Sequence, residues 1–168
     1  MKKSFKKRKR KFYQGFKMEK SNIYTPGDKR DVNPNWFTDK VHMKDISKIG
    51  SVDQGIYHVY FHQGARTKLH YHGGNQVLIV TQGKGSLEIF RKFGAKKTDF
   101  KIKRIEKINL KKGDVVHIPA KTLHTHGSID KKQTFSHIAL NIFPKKNSEY
   151  KTVWYESDFK STASGIIK

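Results

Sequence analysis

The sequence predicts an all-β fold, a sandwich or barrel forming one domain, on three observations. Short runs rich in Val, Ile, Tyr and Phe recur at close spacing, no stretch keeps a long helical periodicity, and no internal repeat divides the chain. At 168 residues the chain suits one small domain rather than two. The expected organisation is a basic tail over residues 1–20, a barrel over 21–156 and a C-terminal tail over 157–168.

The elements follow in order. Tyr24-Thr-Pro-Gly-Asp-Lys-Arg30 reads as a turn region, and Asn33-Pro34-Asn35 marks a second break. Strands are expected over 41–46 and 56–62. In the second, Tyr57, Val59 and Phe61 share one face while His58, Tyr60 and His62 share the other. A strand over 67–72 and the apolar run 76–81 come next. Gly83-Lys-Gly85 is a tight hairpin signal into a strand over 86–90. Residues 91–99 read as an exposed loop, and 102–110 alternates apolar and charged residues as a half-exposed strand does. Strands over 114–118, 122–126 and 134–142 complete the set.

Composition excludes several classes. There is no cysteine, hence neither a disulfide framework nor a thiolate metal site. No apolar run approaches the ~20 residues of a membrane-spanning helix. The basic N-terminus is not followed by an apolar segment of the secretory type, so a cytoplasmic location is expected. The formal net charge is +22. Residues 1–20 carry ten Lys or Arg against one acid, and the rest of the chain carries 26 against 13. Such a tail can bind phosphates by releasing counterions, or simply solubilise the chain. Charge alone carries no sequence specificity, and the aromatics lack the pattern of a single-strand binder. Nucleic acid is therefore not expected beyond non-specific contact with the tail.

The chemistry lies in two distant segments. In the first, Gly64 is followed after five residues by His70-Tyr-His72, after three more by Gln76, and after six more by Gly83. In the second, Gly113 is followed after five residues by Pro119, with Lys121 two further on, then His124 and Ser128. Alternation along a strand points His70 and His72 the same way, so both can reach one ion. Gln76 follows a Gly-Gly-Asn turn that can bring its carboxamide back to the same point, and His124 would add a ligand from another strand. The expected metal ligands are His70, His72, Gln76 and His124.

The other histidines divide. His58 and His62 are expected on the outer face of their strand, and His117 faces outward if Val116 and Ile118 are core. His42 has no identifiable partner. For these four the expectation is an exposed or locally satisfied ring. His126 lies two residues beyond His124, and His137 shares a strand face with Ala139 and Asn141. If that face is interior, His126 and His137 sit beside the metal. They are then either catalytic acid–base groups or supports that orient the ligands.

The two segments resemble the motifs of the cupin superfamily. The first fits at all five positions by spacing, with Gln76 in place of Glu. The second keeps three of five residues, with Lys121 in place of Gly and Ser128 in place of Asn. The resemblance implies a cupin barrel, the double-stranded β-helix or jelly roll. Gly64-Ala-Arg66-Thr67, Leu78, Val80-Thr81 and Gly85 around the first motif narrow it. They are similar to small bacterial cupins with a His-His-Gln-His metal site, among them the manganese-dependent hydroxynitrile lyases. That similarity extends through Ile23-Tyr-Thr-Pro-Gly27 and Asn35-Trp-Phe37 to His124-x-His126-Gly127 and His137-x-Ala139. It implies that His126 and His137 lie beside the metal, that Tyr57, Val59 and Asn141 line the substrate pocket, and that the protein forms a homodimer or higher assembly. Asn141 stands where that group commonly has Gln, and the bulky Tyr57 where it has a small residue, so the pocket is reshaped.

Three neutral imidazoles and one neutral amide leave an ion's 2+ charge uncancelled, which strengthens its Lewis acidity. Imidazole with oxygen donors suits Mn²⁺, Fe²⁺, Ni²⁺ or Zn²⁺, and nothing in the spacing selects among them. With the resemblance added, Mn²⁺ or Fe²⁺ is expected first, with Ni²⁺ or Zn²⁺ as alternatives. The function expected is a metal-dependent enzyme acting on a small hydroxyl- or carbonyl-bearing molecule. In the lyase reading, His137 or His126 removes a hydroxyl proton and a C–C bond breaks to release a stabilised carbanion such as cyanide. The alternatives are an Fe-dependent dioxygenase, a non-catalytic cupin that binds a small ligand, and a scaffold whose basic tail binds an anionic partner.

Overall fold

The computed structural model describes residues 20–25, 29–30, 32–46, 53–146 and 148–168. The basic tail therefore lies outside the described residues except for Lys20, and the turn region 24–30 is described only in part. Among the described residues there are twelve strands: β1 (Lys29–Arg30), β2 (Val41–Asp45), β3 (Gln54–Phe61), β4 (Leu69–His72), β5 (Asn75–Gln82), β6 (Lys84–Phe93), β7 (Phe100–Lys111), β8 (Val115–Ile118), β9 (Leu123–Ser128), β10 (Phe135–Ile142), β11 (Thr152–Ser157) and β12 (Thr162–Ile167). The helical content among the described residues is one 3₁₀ turn, Pro34–Trp36, in which the Asn35 N–H donates to the Asn33 side-chain oxygen. The expected all-β jelly-roll barrel is the fold observed.

One sheet runs β1-β2-β3-β10-β5-β8, and the other closes on itself in the order β11-β12-β7-β6-β9-β4. Every pairing is antiparallel. Strand alternation sends Phe61, Leu78, Val80, Leu87, Phe135 and Ala139 into the space between the sheets, where they form the main core. A second core, around Leu69, Phe90, Phe100, Leu123 and Tyr155, fills the inside of the closed sheet. Strand β9 lies between the two cores and pairs with β4 and β6, and all six of its residues are buried.

Two expectations are corrected. Residues 157–168 are not a free tail: β12 pairs with β11 and β7, and Ala163 is 1% exposed. The segment 91–99 is loop only from Gly94, because β6 continues to Phe93 opposite Lys101. Arg91 and Lys92 are exposed there, so main-chain pairing rather than burial holds the strand.

The second motif carries local strain. Gly113 adopts φ 94°, and Lys121, standing where the resembled motif has Gly, still adopts φ 65°. Its backbone N–H donates to the His72 carbonyl oxygen at 2.8 Å, which ties this turn to the first motif. Ser128, in place of Asn, receives the Asp130 N–H at 3.2 Å and so closes the following loop. A left-handed conformation disfavours a side chain with a Cβ. Lys121→Gly is therefore expected to raise stability by about 1 kcal/mol, with Lys121→Ala near wild type, as read from urea midpoints.

Candidate metal centre

The first motif occupies β4 and β5 on opposite sheets, so the two histidines and the glutamine face each other across the sandwich. His70 stands opposite His124 in the β4–β9 pairing, and Gln76 stands opposite Asn141 in the β5–β10 pairing. The ligand atoms of His70, His72 and His124 lie within 4.8 Å of one another, a set that can hold a metal ion.

Each ring is fixed from behind. The Nδ1–H groups of His70 and His124 donate to the carbonyl oxygens of Lys68 at 2.9 Å and Thr122 at 2.8 Å. His72 Nδ1 lies 2.9 Å from Thr152 Oγ1, a contact in which either group can donate. A carbonyl can only accept, so at His70 and His124 the contacts set the tautomer and leave Nε2 as a lone pair turned inward. Gln76 is held in the same manner: its Nε2–H donates to Asn141 Oδ1 at 2.9 Å, leaving Oε1 free. His72 Nε2, His124 Nε2 and Gln76 Oε1 are buried and lack a hydrogen-bond partner among the described residues. Four neutral donors of this kind, three nitrogens and an oxygen, fit a divalent ion.

Electrostatics keep the rings neutral. Burial lowers His72 to about 3 and His124 to about 4, and pushes His70 well below its usual value. Neighbouring imidazoles add to the effect at His70 and His72. Neutral imidazole is the form that binds a metal.

His126 and His137 also line this cavity, from facing sheets, with His137 Nε2 3.3 Å from His126 Nδ1. His137 Nδ1 is buried with no hydrogen-bond partner among the described residues. Burial lowers His137 to about 3 and holds His126 well below its usual range, with the nearby imidazoles adding to the shift at His126. Tyr57, Val59 and Asn141 line the same cavity, whose volume is about 290 Å³. That is close to the lower end of small-molecule sites, ~300–1,000 Å³.

The remaining histidines lie apart from the site. His58 faces away from the cavity but is fully buried, bonded to Thr81 Oγ1 at 2.9 Å and Tyr60 Oη at 2.8 Å. His117 is exposed, and His42 packs edge-on against His62 at 5.1 Å.

Sequence reasoning missed the aromatic wall. Thr152 and Trp154 stand opposite His72 and His70 in the β11–β4 register. Trp154 stacks on His70 at 4.1 Å, Trp36 stacks on Trp154 at 5.3 Å, and Tyr150 lies 5.1 Å from the His72 ring. The alternation in Thr152-Val-Trp154-Tyr was the signal available for β11.

Comparison with known proteins agrees with the fold. A family model described as "Cupin" matches residues 21–160. A cupin-like protein from Thermotoga maritima is 31% identical, with a TM-score of 0.59, covering 81% of this chain and 90% of that one. KdgF from a Halomonas species shares the fold at 22% identity and TM-score 0.51, covering 71% of this chain and 90% of that one. Oxalate decarboxylase from Bacillus subtilis does so at 21% identity and TM-score 0.50, with 68% of this chain covered and only 27% of that one. No curated protein matches the chain. No helix among the described residues is long and apolar enough to cross a membrane.

The buried rings make stability depend on pH. Unfolded histidine takes up a proton near 6.5, whereas the folded rings resist it until near 3 or 4. Below 6.5 the unfolded chain therefore binds more protons, and stability falls with falling pH. The metal-free protein is expected to keep constant stability above pH ~7 and to lose up to about 1.4 kcal/mol per pH unit for each such ring below ~6.5. Urea unfolding at a series of pH values measures this, and a flat profile from pH ~7 to ~5 would contradict it.

Proposed function

The chain belongs to the cupin family, and on that premise we propose that it is a metal-dependent enzyme. Its substrate is a small hydroxyl- or carbonyl-bearing molecule, and the chemistry is of the lyase type. His70, His72, His124 and Gln76 hold a divalent ion, and His126 with His137 handle the proton. The observation that carries this reading is the convergence of buried donor atoms without partners among the described residues at one cavity, beside a second pair of buried imidazoles that the ion does not need. A binding protein has no use for that second pair.

A divalent ion held by neutral donors supplies Lewis acidity, which makes a hydroxyl more acidic or polarises a carbonyl. The chain supplies the rest. Asn141 keeps Gln76 turned so that its oxygen, not its N–H, faces the cluster. Trp154 and Tyr150 pack on the rings of His70 and His72 and limit access of water. His126 and His137 share one hydrogen bond, so a neutral pair presents either a lone pair or an N–H, depending on which ring donates. A proton taken at one ring can pass to the other, and because burial disfavours the charged state the proton is returned within the turnover.

Elemental analysis of protein purified without added metal is expected to find about one divalent ion per chain, in line with a closed three-His, one-amide site. His124→Ala should lose the ion. His137→Ala should keep it and lose turnover by about 10²–10⁴ on a panel of small hydroxy and carbonyl compounds. A folded chain that rejects both Mn²⁺ and Fe²⁺ sinks the metal centre, and wild-type turnover by His137→Ala sinks the proton role.

A further inference from the structure

We propose that the substrate is a carboxylate, held at the cavity mouth by Arg30 with Trp36 as a second donor, while its hydroxyl or carbonyl end faces the histidine cluster. This rests on the metal-enzyme reading above and adds the substrate's charge to it. Among the described residues no Asp or Glu lines the cavity, and Arg30 is the lining side chain with a permanent charge. With a dication held by neutral ligands at the other end, both ends of the cavity are positive. An anion is drawn into such a site, and a neutral molecule gains nothing from it.

The guanidinium is positioned for the task. Its central carbon lies 5.1 Å from the centroid of the Tyr57 ring, so stacking orients the plane while leaving the N–H edge available to a partner. Asp45 approaches only to 3.9 Å, and both side chains are about half exposed (45% and 51%). An exposed contact of that length is weak, and a carboxylate arriving in the cavity can outcompete it by a bidentate pairing.

The second observation is independent. The Trp36 indole N–H is buried with no acceptor among the described residues, and Trp36 lines the same cavity. Indole nitrogen can only donate, so this group calls for an acceptor, which a carboxylate oxygen supplies. Arg30 and Trp36 both come from the N-terminal part of the chain, and both line the cavity. The bulky Tyr57 is then the platform on which the arginine lies.

The test uses hydroxypropanoate, hydroxybutanoate and hydroxypentanoate, each with its hydroxyl at the far end of the chain, against the matching primary amides. Affinities are measured by titration calorimetry on the full chain, loaded with Mn²⁺ and again after stripping. At the best chain length the acid is expected to bind about tenfold tighter than the amide, a preference that weakens with added salt. Arg30→Gln should bring the two within about twofold, Trp36→Phe should lower the preference by about threefold, and Arg30→Lys should retain part of it. Equal binding of acid and amide, or an undiminished preference in Arg30→Gln, overturns the proposal. The two readings fail separately. A chain that takes up no Mn²⁺ but shows the Arg30-dependent preference loses the metal centre and keeps the carboxylate clamp. A chain that binds Mn²⁺ without that preference loses the clamp alone.

Discussion

The structure depends on how each ligand side chain is tied on its outer edge. A free imidazole or carboxamide can turn either face to its surroundings. Here the carbonyls of Lys68 and Thr122 and the Asn141 amide oxygen each take the group's donor, leaving an inward-facing lone pair, and the Thr152 hydroxyl anchors the His72 ring. The register that places His70 opposite His124 brings the lone pairs from β4 and β9 together, and the β5–β10 register brings Gln76 up to meet them. Without an ion each buried lone pair costs about 1–3 kcal/mol. The rings of Phe37, Phe61 and Phe135, packed on one another beside His126 and His137, are the apolar mass against which that cost is held.

Much of this was legible because strand alternation turns spacing into direction. His70-x-His72, His124-x-His126 and His137-x-Ala139-x-Asn141 each place their members on one face, and they then needed only the pairing of sheets to be assigned a place around the cavity or its histidine cluster. What could not be read depends on partners distant in sequence. Thr152 and Trp154 meet the ligands because β11 pairs with β4 across some 80 residues, and nothing within Thr152–Ser157 names that partner. Arg30 belongs to a two-residue strand defined by its pairing with Met43 rather than by any pattern of its own. The extension of β6 to Phe93 was hidden for a related reason: it is held by main-chain bonds to β7 while its side chains are solvated, so hydropathy carries no trace of it.

Gln76 and Asn141 form one unit. In a Glu the two oxygens are equivalent and charged, and no partner is needed to decide which end faces the cluster. An amide has a wrong way round, and here the Gln76 N–H donates to the short Asn141 side chain at 2.9 Å, which turns the Gln76 oxygen away from it. Gln76 and its orienting partner lie 65 positions apart in the sequence. Replacing one without the other would leave either an unneeded acceptor or an unoriented amide.

The closed sheet has a consequence for solubility. A ring of hydrogen-bonded strands presents no unpaired row of backbone groups, so six of the twelve strands offer nothing for another chain to extend. Among the described residues the open sheet ends on β1 and on β8, the latter of four residues. An edge as short as β8 is a poor template for edge-to-edge aggregation. That protection matters in a protein whose strands are otherwise rich in the β-branched and aromatic residues from which fibrils are built.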